Sequence, residues 1–150
     1  MSGPVSAIET IQKKVFTILN THVTINSTAL KVILNIGART APPYMTLEIE
    51  ELPDAAPTFD VWGSEFRITV TVHTRGDPET GDRFYRWHDV NDGLSQIRVL
   101  LDHQDVTTAG VGTNWYCMFE RNLRIADPGG GHDSETLRGV AQYRAGCTGL

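Results

Sequence analysis

The sequence has few cysteines, no long apolar run and no excess of basic residues. Its two cysteines, Cys117 and Cys147, form no Cys-x-x-Cys pair. This spacing matches neither a disulfide framework nor a zinc site, and we expect two reduced thiols in a cytoplasmic setting. No apolar stretch reaches the roughly 18 residues that a membrane-spanning helix needs, so no membrane contact is expected. Residues 1–9 have neither the basic start nor the apolar core of a secretory signal.

The charge balance is acidic. Lys and Arg number 13 against 18 Asp and Glu, which gives a formal net charge of −5. Proteins that bind nucleic acid usually have more basic than acidic residues, because each phosphate that a basic residue neutralises releases counterions. Primary nucleic-acid binding is therefore disfavoured, although a local basic patch stays compatible with the composition. The 150 residues, 40% of them apolar and 21% charged, indicate one soluble domain over residues 1–150.

Hydrophobic periodicity predicts two helices and five strands. Apolar residues at spacings of three and four predict a helix from Ser6 to about Asn20 and a second helix over residues 83–101. A short apolar run and clean two-residue alternation predict the strands. The strands are expected at residues 30–36, 44–51, 65–75, 115–125 and 137–145. This order predicts an α+β fold, with a mostly antiparallel sheet of four to five strands and two helices packed on one face.

The alternation also predicts which strand residues enter the core. In the second and third strands these are Met45, Leu47, Ile49, Phe66, Ile68, Val70 and Val72. In the fourth strand, the same rule assigns one face to Trp115, Cys117, Phe119, Leu123 and Ile125. The last two strands are expected to be antiparallel, since the turn between them is too short for a parallel crossover.

Two groups of residues are candidates for contact with a partner. The outward positions of two strands carry Arg67, His73, Arg138, Gln142 and Arg144, and the loop before the third strand adds Phe59 and Trp62. Arg and aromatic residues are favoured at interfaces, although simple solvent exposure explains the polar alternation equally well. Long Pro- or Gly-rich loops are expected to reorganise on assembly. Their candidate residues are Asp54, Pro57, Gly129, Gly130 and His132.

Motifs for catalysis or metal binding are sparse. The dipeptide His88-Asp89 is similar to one that metal-dependent phosphohydrolases carry on a helix, but those enzymes need further ligands from neighbouring helices. The histidines lack the spacing that puts two ligands on one face, and no Gly-x-Ser-x-Gly elbow is present. We therefore expect no catalytic residue, no metal and no cofactor. A small metal-dependent hydrolase that uses His88 and Asp89, and a homodimeric binding module, stay as alternatives.

Several elements occur in an order that resembles a known family. A Pro-Pro-Tyr segment opens a strand, a second strand reads Phe-Arg-Ile-Thr-Val-Thr-Val-His-Thr-Arg, and the closing strand reads Leu-Arg-Gly-Val-Ala-Gln-Tyr-Arg-Ala. These three segments lie at residues 42–44, 66–75 and 137–145. An amphipathic helix at residues 8–19 precedes the first of them. A long helix at residues 83–101 and an Asp-Pro-Gly turn at residues 127–131 separate the second from the third. The pattern resembles the tail-completion proteins of long-tailed phages and gene-transfer particles, which include tail terminators and tail-to-head joining proteins. The similarity covers roughly residues 6–146.

The resemblance implies a small α+β subunit that assembles as a homo-oligomer, a hexameric ring, without a cofactor or enzymatic activity. Such a ring caps the tail tube protein and docks onto a neck or head-completion protein, at the tail-neck junction of a virion assembled in the host cytoplasm. DNA would pass through its lumen without specific binding, and we expect the acidic Glu48 and Glu50 to face that channel. Another neck or head-completion ring is the alternative within the same class.

Overall fold

Two helices cover one face of a five-stranded, mostly antiparallel sheet, as the sequence predicts. The computed structural model describes residues 5–34, 43–52, 63–75, 87–102, 113–127 and 136–148. The elements are α1 (Val5–Leu19), β1 (Thr24–Ile25), β2 (Thr28–Ala29), β3 (Val32–Ile33), β4 (Tyr44–Leu52), β5 (Gly63–Arg75), α2 (Trp87–Leu101), β6 (Thr113–Asp127) and β7 (Thr136–Thr148).

The segment between α1 and β4 differs from the single strand predicted at residues 30–36. β1 and β2 form a small antiparallel hairpin, whose turn residues Asn26 and Ser27 both have positive φ angles. A two-residue hairpin turn of this type requires such angles. Leu30 is buried but lies outside any strand, and β3 is two residues long. The side-chain oxygen of Asn20 accepts a hydrogen bond from the backbone of Val32 at 3.0 Å, which ties this segment to the end of α1.

The strand order in the main sheet is β3-β4-β5-β7-β6. β3 runs parallel to β4, and the other neighbours are antiparallel, including the predicted pair of β6 and β7. The central pair, β5 and β7, is in register from Gly63 opposite Thr148 to Arg75 opposite Thr136. β6 therefore lies at one edge of the sheet among the described residues.

One apolar core fills the space between the helices and the sheet. The predicted core residues of β4 and β5 are buried there, except Ile49, which is partly buried against the same core. Burying one large apolar side chain contributes about 1.5–3 kcal/mol, so this layer is the main source of stability. The largest fully buried side chains are Tyr143, Phe66, Ile11, Leu19, Ile25, Leu30, Met45, Ile68, Leu94, Ile97, Leu101 and Val15.

The prediction for β6 is wrong in its second half because the strand contains a β-bulge. Phe119 lies opposite Tyr143 of β7, and Arg121 lies opposite Gln142, which is adjacent to Tyr143 in the sequence. Glu120 is therefore one extra residue in β6. An extra residue reverses the alternation of side chains along the rest of a strand. Leu123 and Ile125 therefore point away from the helices and are 42% and 36% exposed. Before the bulge, Cys117 is buried as predicted, and the side chain of Trp115 lies outside the described residues.

The exposure of Leu123 can be tested by substitution. We expect Leu123→Asn to lower the free energy of unfolding by only about 1 kcal/mol, because the side chain is 42% exposed and asparagine is disfavoured in strands. In a matched core variant, Leu94→Asn, we expect a loss of about 3 kcal/mol or more, because Leu94 is only 2% exposed. Urea unfolding of both variants measures the difference. Similar large losses for the two would contradict the bulge.

Candidate functional site

The sheet has a second face on which neither described helix packs. We call it the open face. Its residues alternate with the core residues along β4, β5 and β7 and continue onto β6, where they lie on both sides of the bulge. The side chains of the open face include those of Tyr44, Thr46, Glu48, Glu50, Arg67, Thr69, His73, Met118, Arg121, Leu123, Ile125, Arg138, Gln142 and Arg144.

All five strand residues proposed as interface candidates lie on the open face. The register sets Arg67 opposite Arg144 and His73 opposite Arg138, while Gln142 lies between these two pairs. Arg144 is exposed and the other four side chains are half-buried. The alternation of the sequence therefore predicted their common face correctly, and their contact with a partner stays a prediction.

The loop candidates lie outside the residues that the structure describes. They are the aromatic residues Phe59 and Trp62 and the proposed assembly residues Asp54, Pro57, Gly129, Gly130 and His132.

Glu120, which the sequence did not single out, links two arginines of the open face. Its carboxylate lies 3.6 Å from Arg67 Nε and 3.9 Å from Arg144 Nη2. These two arginines are direct cross-strand neighbours, so their like charges would repel without a counter-ion. Glu120 at the bulge supplies one counter-ion, and Glu50 of β4 lies directly opposite Arg67 on its other side. Each pair is partly exposed, and such pairs contribute about 0–1 kcal/mol, so the network orients the side chains more than it stabilises the fold.

His73 lies in a small polar cluster at the other end of the open face. Its ring stacks on Tyr44 with centroids 4.6 Å apart, and its Nε2 is 3.0 Å from Thr46 Oγ1. Partial burial lowers the pKa of His73, and the nearby positive charge of Arg138 lowers this pKa further. The imidazole is therefore neutral near pH 7, and its contacts hold β4 against β5.

The two sides of the open face differ in charge and polarity. Glu48 and Glu50 of β4 are exposed on one side. On the other side, β6 exposes Met118, Leu123 and Ile125, and Met118 is 50% exposed. A mixture of exposed apolar, arginine and polar side chains is typical of protein–protein interfaces.

The candidate metal ligands His88 and Asp89 lie together on α2. Both are in its first turn, with His88 exposed and Asp89 half-buried. No group of three or more His, Cys, Asp or Glu that could hold a metal ion occurs in the part of the chain that the structure describes. Neither described helix is long and apolar enough to cross a membrane.

No known family model and no curated protein matches this chain.

Proposed function

We propose that this chain is a structural subunit of a phage or phage-like particle, where it forms a ring that terminates the tail tube and joins the tail to the neck. It acts by binding other polypeptides and has no catalytic role. The observation that carries the proposal is the open face, a sheet surface that combines exposed apolar residues with an ordered set of arginines and glutamates.

The exposed apolar residues support a role in protein contact. Met118, Leu123 and Ile125 all lie on the edge strand β6. Soluble proteins commonly protect such edges, because an exposed strand with apolar side chains pairs readily with another chain. Clustered apolar exposure of this kind typically marks an interaction surface.

The charge and the polar network are compatible with the same role. A net charge of −5 disfavours tight binding of a passing DNA backbone, which suits a ring with DNA in its lumen. Glu120 lies 3.6 Å from Arg67 and 3.9 Å from Arg144, so the open face presents both charge signs close together. Charged groups of this kind set the orientation of a partner more than they add affinity.

Disrupting the gene in the genome that encodes the chain tests this role. We expect tails that exceed the normal length and remain unjoined to heads in electron micrographs, because nothing stops addition of tube subunits. Supplying the wild-type gene in trans should restore joined particles of normal length. Tails of normal length that stay free would instead favour a head-completion ring, and intact particles would contradict both roles.

A further inference from the structure

We propose that two copies of this chain associate through their β6 strands, which pair antiparallel about a two-fold axis at Leu123 and join the two main sheets into one. The inference does not rest on the proposed function. β3 and β4 lie at the opposite side of each sheet, away from this contact, so such a pair is compatible with further contacts in a particle.

β6 has the backbone and the exposure that strand addition needs. Among the residues that the structure describes, it pairs on one side only, with β7. The other side of an edge strand carries N–H and C=O groups that can bind a further strand. Residues 121–125 are all exposed, although their side chains alternate between the open face and the helix side. Both faces of the sheet are therefore accessible along this part of the edge.

The regular part of the edge is short and has a clear centre. The bulge at Glu120 breaks the register on one side, and the exposed run that follows is centred on Leu123. When two identical strands pair antiparallel about a two-fold axis, the residue at the axis lies opposite its own counterpart. Leu123 of one copy would therefore face Leu123 of the second copy.

Apolar side chains occupy the centre of this contact. Leu123 is 42% exposed and lies opposite Val140 of β7, so pairing continues one apolar row from Val140 of one copy to Val140 of the other. Ile125, which is 36% exposed, would lie opposite Arg121 of the second copy, whose aliphatic stem can cover it. Apolar burial and backbone hydrogen bonds would together supply the affinity.

The arginines exclude the neighbouring registers. A pair centred on Arg121 or on Arg124 would set each arginine against its own counterpart, and like charges directly opposite each other destabilise a sheet. A pair centred on Asn122 would bring Phe119 and the bulge into the ladder, where the register is broken.

The register centred on Leu123 avoids both problems. Arg121 then faces Ile125, and Arg124 faces Asn122, so no like charges lie directly opposite each other. The Arg124 guanidinium also lies 5.6 Å from the Trp87 ring centroid on the helix side, which gives its charge a partner within its own chain.

A second copy of the chain is thus the partner that this edge fits. Bulges and charged residues commonly protect edge strands from uncontrolled pairing. On β6 they leave one favourable register, and in that register the strand is complementary to itself. A two-fold contact of this kind uses the same surface on both copies and closes at two.

Disulfide cross-linking of the full chain tests this register. Cα atoms of directly opposite residues lie about 4.5–5.5 Å apart, within the range that a disulfide bridges, whereas diagonal neighbours lie about 7–8 Å apart. We expect Leu123→Cys to form a covalent dimer rapidly under mild oxidation. Arg121→Cys and Ile125→Cys should each remain monomeric on denaturing gels when oxidised alone. Their mixture should give a mixed covalent dimer, because these two positions face each other across the axis.

Val99→Cys is the control for cross-linking, because Val99 is 75% exposed on α2 and lies off the sheet. It should cross-link only slowly, through random collisions. The wild-type chain, oxidised in parallel, reports any contribution from Cys117 and Cys147. A Leu123→Cys chain that cross-links no faster than Val99→Cys, or a mixture that yields no mixed dimer, would overturn the inference.

Sedimentation and native mass spectrometry measure the association itself. We expect a species with twice the mass of one chain. Leu123→Lys should weaken its association about 100-fold, because two ammonium groups would face each other at the axis, whereas Val99→Lys should associate like wild type. If Leu123→Lys does not fold, the cross-linking carries the test. Wild-type chain that stays monomeric at millimolar concentration, or a folded Leu123→Lys chain that associates normally, would contradict the contact. Neither result bears on the tail role, which the gene disruption tests separately.

Discussion

Gly139→Val should lower the free energy of unfolding by about 3 kcal/mol, because β7 has no room for a side chain at this position. A Cβ atom on Gly139 would lie 2.5 Å from Val90 Cγ1 and 3.0 Å from Leu94 Cδ1. Val90 is a β-branched residue within α2, so its side chain has little freedom to rotate away. The helix itself would have to move off the sheet. Urea or thermal unfolding of the purified variant measures the loss.

Gly93→Ala is the matched control for this prediction. Its added Cβ would meet Ile25 Cδ1 at 3.2 Å, and this terminal methyl group can shift by a few tenths of an ångström. Alanine is also favoured over glycine within a helix by about 1 kcal/mol. We therefore expect Gly93→Ala to be neutral or slightly stabilising. Equal losses at the two glycines, or none at Gly139, would contradict the close packing of α2 on β7.

Stability should fall steeply in alkaline solution, and Cys117 should cause most of the loss. Burial raises the pKa of Cys117 from 9.0 to about 12, and the negative charge of Asp102 adds to this effect. Because the folded state holds the thiol proton more tightly than the unfolded state, stability is full below pH 9 and is lost as pH rises toward 12. The loss over this range is expected to be of the order of a few kcal/mol.

Tyr143 should add to the alkaline loss at higher pH. Burial raises the pKa of its phenol, and the charges of Cys117 and Asp102 raise it further, while Arg98 opposes the change. The ring is fully buried and packs edge-on against Phe119, and its hydroxyl has no hydrogen-bond partner among the described residues. Loss of that hydroxyl in Tyr143→Phe should therefore leave stability at pH 7 unchanged or improved by about 1 kcal/mol.

Unfolding measured from pH 7 to 11 in Cys117→Ala and in Cys117→Ala/Tyr143→Phe tests both contributions. The first substitution should remove most of the alkaline slope, and the second should remove most of what remains. If the free energy of unfolding of the double variant fell with pH as steeply as that of the wild-type chain, other groups would control alkaline unfolding.

The sequence predicted the regular strands well because their side chains alternate without interruption. β4 and β5 combine clean two-residue periodicity with buried residues on one side, and β5 exceeds its predicted bounds by only two residues. The hairpin of β1 and β2 was missed because two-residue strands carry too little periodicity to detect. The bulge at Glu120 was missed because no glycine or proline marks it. It arises from the register of β6 on β7, which is a tertiary property.

The same limits apply to the candidate surface. Arg67, Arg138 and Arg144 could be assigned to one face because each lies at an alternating position in an uninterrupted strand. The contribution of Glu120 and the exposure of Leu123 could not be assigned, because both depend on one extra residue in the neighbouring strand. The alternation of side chains thus predicted the common face of the arginines. The structure added the carboxylate of Glu120 and the exposed apolar side chain of Leu123 to that face.

The central position of the β5–β7 pair has a consequence for how the chain folds. The hairpins β4–β5 and β6–β7 join residues that are near in sequence. The strands β5 and β7 pair directly, although α2 and β6 separate them in the sequence. Pairing of distant segments is slow, because the entropy of closing a long loop is lost before the contacts form. Each hairpin alone would leave its apolar side uncovered in the meantime. A newly synthesised chain is therefore most prone to aggregate in the interval before its two halves join.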